Sequence, residues 1–147
     1  MAAESSALDQ IDLRILRELE RGARISWREL GEAVHLSPTS AADRVRRLER
    51  DGVIEGYTVR VDPDALGRTV QAVVDVKLGP GDVEEFEARL AQRDEVTFAA
   101  YVTGTADYSI NVACHGADGL DTFVRWLRSE AGVASTETKL LLRVVRP

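Results

Sequence analysis

The sequence predicts an α+β protein in two parts: a helical first half, and a second half of antiparallel strands with helices on one face. Three observations predict it. Apolar residues recur at helical spacing up to Leu48, and they alternate at strand spacing from Val70 onward. Between the two patterns, Gly52 is followed by the β-branched stretch "VIEGYTVRVD" and then by Pro63, which reads as a short strand running into a linker that ends near Gly67.

Each element follows from its own residues. Leu8, Ile11, Ile15 and Leu19 make the stripe of a first helix, with Asp9 placed to cap it. "SWRE" at 26–29 is a capping box, since the Ser26 hydroxyl and the Glu29 carboxylate can satisfy each other's orphan backbone N–H groups. The second helix it opens should turn Trp27, Leu30 and Val34 inward. A third helix starts where Ser37 can cap and Pro38 occupies the first helical position, where its missing N–H costs nothing. Its inward stripe is Ala41, Val45 and Leu48, and Gly52 stops it.

In the second half, Val70, Ala72, Val74, Val76 and Leu78 form one face of a strand. Val83, Phe86 and Leu90 mark a helix; Val96, Phe98, Ala100 and Val102 a strand; Tyr108, Ile110, Val112 and Cys114 another, joined to it by a short hairpin. Leu120, Phe123, Val124 and Leu127 give a last helix, and Val133, Thr136, Thr138, Leu140, Leu142 and Val144 a last strand. The order βαββαβ is that of a ferredoxin-like unit. Its opposite sheet face, including Val73, Tyr101 and Leu141, is mixed; it either meets water or stacks on a second copy of itself, and the small size of the unit favours stacking. The expected division is 1–57 for the helical domain, 58–69 for strand and linker, and 70–147 for the sheet domain.

Composition narrows the function classes. No apolar run is long enough to span a bilayer, so no membrane partner is expected, and "MAAESSALDQ" lacks the features of a signal peptide. One cysteine excludes an internal disulfide and fits a reducing compartment, so a cytoplasmic location is expected. The net charge is −6, and neither half is basic. Any case for nucleic acid therefore rests on where the charges sit.

Arg44, Arg46, Arg47 and Arg50 fall within seven positions. Helices two and three are joined by only a few residues around Val34-His35-Leu36, the geometry of a helix-turn-helix of the winged-helix-like kind. Gly31, inside helix two, costs stability there unless helix three passes too close for a Cβ. His35 occupies the turn, where many such motifs place glycine; histidine tolerates positive φ better than most residues. With the apolar stripe inward, Thr39, Asp43, Arg46, Arg47 and Arg50 point outward, with Ser40 at the margin and Arg44 nearer the buried edge. In a recognition helix the N-terminal residues reach base edges, which assigns Ser37, Thr39, Ser40 and Asp43 to bases. Arginines further along suit phosphates or guanine. Ser26 and Arg28, at the start of helix two, complete the candidate DNA-contacting set. The plainer alternative is a solvated face of Arg/Glu pairs, such as Arg46 with Glu49.

At this point the sequence resembles the DNA-binding half of the Lrp/AsnC, or feast/famine, regulators. The matching elements are Leu8-Asp9-x-x-Asp12-x-x-Ile15-Leu16, Arg24-Ile25-Ser26, Leu36-Ser37-Pro38, Arg44 to Glu49, Gly52-Val53-Ile54 and Gly56-Tyr57. The rest of the chain fits the family's βαββαβ amino-acid-binding domain. The resemblance implies a transcriptional regulator that binds double-stranded DNA as a homodimer, assembles in some members to an octamer, and responds to a small amino acid held between subunits. The family's effector loop, G-D-x-D-Y, corresponds here to Gly104-Thr105-Ala106-Asp107-Tyr108, with Thr105 in place of the first acid. Thr136 and Thr138 match its T-x-T segment, and Tyr101 joins the candidate effector set. Chemically, Gly104 permits close backbone approach, Asp107 can pair with an ammonium, and hydroxyls and N–H groups can take a carboxylate. The plainer reading is a hairpin turn, and an effector-independent regulator remains an alternative.

Catalysis finds little support. Cys114 and His115 are adjacent on a strand and so point to opposite faces, which precludes a dyad within one chain. No metal-ligand spacing and no phosphate-binding glycine loop is present, and Trp126 has packing as its expected use. No cofactor is expected beyond the amino-acid effector. A small ferredoxin-like dimeric enzyme is the reading from a different class, as is a module that has lost DNA binding.

Overall fold

The structure, a computed structural model, describes residues 8–145, so the reading of the extreme N-terminus lies outside the described residues. The chain divides into two compact units, Met1–Arg60 and Val61–Pro147.

The first unit holds three helices, α1 (Gln10–Arg21), α2 (Trp27–Val34) and α3 (Pro38–Arg50). Asp9 caps α1 and forms a capping box with Asp12; Ser26 does the same for α2 with Glu29. Ser37 caps α3, where Pro38 takes the first position. The core is Ile15, Leu30, Val34, Ala41, Val45 and Leu48, each nearly or fully inaccessible. Burial of this kind contributes about 1.5–3 kcal/mol for each larger side chain. His35 adopts the left-handed conformation (φ 59°, ψ 44°) that ends α2. A Cβ on Gly31 would meet the Leu36 carbonyl oxygen at 2.7 Å and Pro38 N at 3.2 Å. The close approach comes from the turn itself, not from the body of α3.

Two details differ from expectation here. Trp27 is half-exposed at the first turn of α2, and Gly31 takes its place in the inward stripe with Leu30 and Val34. The "VIEGYTVRVD" segment forms no strand, for no described segment pairs with it. A lone strand leaves its N–H and C=O groups without a ladder. Val59 is 81% exposed; the segment is held to α3 at its start, where the Val53 and Ile54 N–H groups donate to the Leu48 carbonyl (2.9 and 3.1 Å), and again at Tyr57, whose hydroxyl donates to Glu49 (2.7 Å).

The second unit begins with a short 3-10 turn (Asp64–Leu66) and continues β1 (Val70–Leu78), α4 (Val83–Leu90), β2 (Val96–Tyr101), β3 (Tyr108–Cys114), α5 (Gly116–Ser129) and β4 (Val133–Leu140). The sheet is antiparallel in the order β2-β3-β1-β4. Ala72, Val74, Val76, Tyr108, Ile110, Val112 and Cys114 pack against Phe86, Leu90, Phe123 and Leu127 of the helices. Trp126 packs beside Phe123, with the Arg93 guanidinium 4.7 Å from its ring centroid.

A register shift between Val96 and Phe98 reverses the expected faces of β2. Phe98 pairs with Asn111 and Tyr101 with Tyr108, so Ala99 and Tyr101 share the helix-covered face while Phe98 points the other way. A single extra residue flips every side chain beyond it. Tyr101 therefore leaves the open sheet face, and Phe98, 61% exposed, joins Val73 there. Strand β4 ends at Leu140 rather than reaching Val144; Leu142 and Val144 are exposed.

Candidate DNA-recognition helix and effector loop

The outward stripe of α3 is Thr39, Asp43, Arg46 and Arg50, at spacings of four, three and four residues and all exposed. Ser40 is exposed at its margin, and its N–H donates to the Ser37 hydroxyl (3.1 Å). The Ser37 hydroxyl is thus used as a cap, and it also donates to Ser40 Oγ (2.8 Å). The Ser26 hydroxyl is committed in the same way, donating to Glu29 Oε2 at 2.6 Å; that bond holds the Glu29 carboxyl below its ordinary range. Arg28, exposed, lies 3.4 Å from Glu32 one turn on.

The four arginines divide into two pairs. Arg44 Nη1 donates to Asp9 Oδ2 (2.6 Å) and Asp12 Oδ1 (2.8 Å), while Arg47 Nη2 donates to Asp12 Oδ2 (2.6 Å). Asp12 is 1% exposed, so the two guanidiniums compensate a buried carboxylate. The Asp9 side-chain bond to Arg44 holds Asp9 below, and with Asp12 lifts Arg44 above, their usual ranges. Arg47 was expected among the outward residues. Instead its guanidinium reaches round to α1, leaving the side chain 35% exposed against 73% for Arg50. Arg46 and Arg50 stay on the outer face, each near an exposed carboxylate: Arg46 Nη1 to Asp43 Oδ1 at 2.9 Å, Arg50 Nε to Asp51 Oδ1 at 3.4 Å. Reading by periodicity missed Asp12, the buried carboxylate that draws Arg44 and Arg47 away from the outer stripe. Its signal was a carboxylate placed between Ile11 and Ile15, inside an apolar stripe.

The candidate effector residues fall in two groups. Gly104, at φ +119°, needs the freedom of glycine. Thr105 is exposed beside it and Ala106 half-buried. Asp107 is anchored: its Oδ2 accepts the Leu78 N–H (2.8 Å) and its own N–H donates to the Val76 carbonyl (2.8 Å). Tyr108 is buried and donates its hydroxyl to Glu87; burial first, then Glu87, pushes its pKa up to about 12. Its ring packs edge-on against Phe86 and Tyr101, at 5.2 and 5.3 Å between centroids. Tyr101 and Tyr108 line a depression of about 350 Å³ with Glu87, Leu90, Ala91, Val96 and neighbouring β2 residues.

Thr136 and Thr138 lie on β4, beyond β1 from the loop. Tyr108 pairs with Val76 and Val76 with Thr136, so the two groups stand two strand spacings apart, about 10 Å. Thr136 Oγ1 accepts from Arg128 Nε (3.0 Å) and Nη2 (2.6 Å), and Thr138 is exposed. Within one chain the hairpin residues come together, and the threonines do not join them.

Cys114 is buried, and burial pushes its thiol pKa up; His115 faces out, with Nδ1 3.0 Å from the Gly67 carbonyl. Among the described residues no cluster of His, Cys, Asp or Glu could hold a metal, and no helix is long and apolar enough to cross a membrane.

Comparison with known proteins agrees with both halves. Residues 8–55 match a family described as winged helix-turn-helix DNA-binding, and residues 71–147 match the Lrp/AsnC ligand binding domain. The chain is 36% identical to the HTH-type transcriptional regulator LrpC of Bacillus subtilis over 117 residues, 80% of this chain and 81% of that one. The solved structure of B. subtilis LrpC superposes with a TM-score of 0.87 at 32% identity, covering 95% of this chain and 97% of that one. A feast or famine regulatory protein from M. tuberculosis, complexed with L-methionine, gives a TM-score of 0.89 at 32% identity over 96% of each chain. By name these relatives are regulators. By sequence and by fold, the chain belongs to the Lrp/AsnC family of DNA-binding transcriptional regulators.

Proposed function

We propose that this regulator reads its operator with the outer stripe of α3. Thr39, Ser40 and Asp43 approach base edges, Arg46 and Arg50 engage the duplex, and Arg28 supplies a flanking charge. The observation that supports this most is the exposure of that stripe on a helix fixed by its Ser37 cap and by the tight turn over Gly31. Arg44 and Arg47 then serve the helix rather than the DNA, by holding it to Asp12. The protein acts as a cytoplasmic homodimer, or a larger even assembly, through the sheet face bearing Val73 and Phe98. A duplex with two half-sites follows from two-fold symmetry. Equilibrium binding to duplexes selected from a random library tests the assignment. Arg50→Ala should flatten the slope of log K against log salt by about one per recognition helix, whereas Arg47→Ala should leave the slope unchanged. The opposite result would transfer the contact to Arg47.

The loop Gly104–Tyr108, with Tyr101, is the proposed contact for a small amino acid, completed by Thr136 and Thr138 of another subunit. The L-methionine held by the M. tuberculosis relative makes an apolar amino acid the first ligand to test. An amino acid at a hundredfold its Kd should stabilise the protein by about 2.7 kcal/mol, visible as a rise in Tm. A second reading, regulation without an effector, is favoured by the Asp107 carboxylate already bonded to Leu78 and by Thr105 in place of an acid. A flat ligand screen would establish it.

A further inference from the structure

We infer that Asp43 is a positioning residue that aims Arg46 at a guanine, so that specificity at one base pair of each half-site belongs to the pair rather than to the arginine alone. This rests on the proposed DNA-reading role of α3. The two side chains sit one turn apart on the outer stripe, both 65% exposed, with Arg46 Nη1 donating to Asp43 Oδ1 at 2.9 Å. An arginine carrying a carboxylate at that distance is a poor phosphate ligand, because the carboxylate repels the phosphate that the guanidinium attracts. A neutral base edge carries no such penalty. With Nη1 occupied, the Nε and Nη2 hydrogens remain as two parallel donors, which suits the O6 and N7 acceptors of guanine.

The other arginines cannot take this part. Arg44 and Arg47 are committed to Asp9 and Asp12, and Arg50 lies at the C-terminal end of α3, away from the end that reaches base edges. A solvent-exposed i,i+3 ion pair adds little to a helix, so stability alone gives little reason for a carboxylate on the proposed DNA-facing side.

The test combines base-atom and side-chain changes on full-length protein. Guanines in a selected operator are replaced singly by 7-deazaguanine, which lacks the N7 acceptor, and binding is measured for wild type, Arg46→Ala, Arg46→Lys and Asp43→Asn. One guanine per half-site should show a loss of about tenfold with wild type, a smaller loss with Arg46→Lys, whose ammonium still donates to N7, and none with Arg46→Ala. Asp43→Asn should bind scrambled duplex more tightly at low salt yet lose about ten- to a hundredfold of its discrimination. Circular dichroism checks that the variants fold. If wild type discriminates but no guanine couples to Arg46, or if Asp43→Asn tightens binding to all duplexes equally, the pair is only a surface ion pair and the inference fails. If wild type prefers no duplex at all, the DNA-reading role of α3 fails with it.

Discussion

Asp12 shows how one buried charge decides which arginines of α3 stay exposed. Both of its oxygens are occupied by guanidiniums from α3, and Asp9 adds a second contact to Arg44. Removing one member of a buried, paired set leaves its partner undercompensated, so Arg47→Ala should lower stability by about 1–3 kcal/mol. Urea titration measures this; an unchanged midpoint would mean that Arg44 alone suffices for Asp12. The sign of the pH effect follows from Asp9, whose carboxyl is held below its ordinary 3.8 chiefly by Arg44. A depressed carboxylate contributes stability that is present above its unfolded pKa and lost as pH falls through the folded value. Asp9→Asn keeps a good cap while removing the charge, so its stability deficit should be constant from pH 7 to 5 and shrink below about pH 4. A deficit that persisted unchanged at pH 2–3 would assign the effect to capping.

The turn between α2 and α3 sets the angle at which the recognition helix is presented. His35 holds a left-handed conformation that glycine adopts without strain. His35→Gly should therefore raise stability by about 0.5–1 kcal/mol, seen as a higher Tm with DNA affinity unchanged. Gly31→Ala should do the reverse, since its new Cβ would press on the Leu36 carbonyl and force the turn open. If the alanine variant keeps wild-type Tm and DNA affinity, the close approach has no consequence for the fold. The β2 bulge acts at the same scale: one extra residue moves Tyr101 against Tyr108 and sends Phe98 to the open face.

Across the whole molecule, the open face of the sheet combines Val73, Phe98 and Asn111 with the Lys139–Asp75 ion pair (2.6 Å). Phe98 on the edge strand and Val73 on a central one stand in line on either side of Asn111, and the proposed self-association across a two-fold axis would bury both. Phe98→Asp should shift sedimentation toward the monomer and weaken DNA binding through loss of the second recognition helix, with the Tyr108 environment intact. A variant with unaltered sedimentation would place the interface elsewhere. The net charge of −6 is compatible with the proposed DNA contact, which needs only a few positive side chains on one helix.

The Asp82 cap of α4 was not legible in the sequence, whereas the helices, the caps of the first three, the tolerance of a left-handed turn at His35 and the βαββαβ order were. These depend on local backbone hydrogen bonding and on periodicity, and both are properties of neighbouring residues. Three matters were decided only by tertiary structure. Which arginines face outward depended on Asp12, more than thirty residues away in sequence. The faces of β2 depended on a bulge that alternation cannot register, because the pattern reads equally well in either phase. The fate of residues 53–62 depended on a pairing partner, since a strand exists only where another backbone meets its hydrogen bonds.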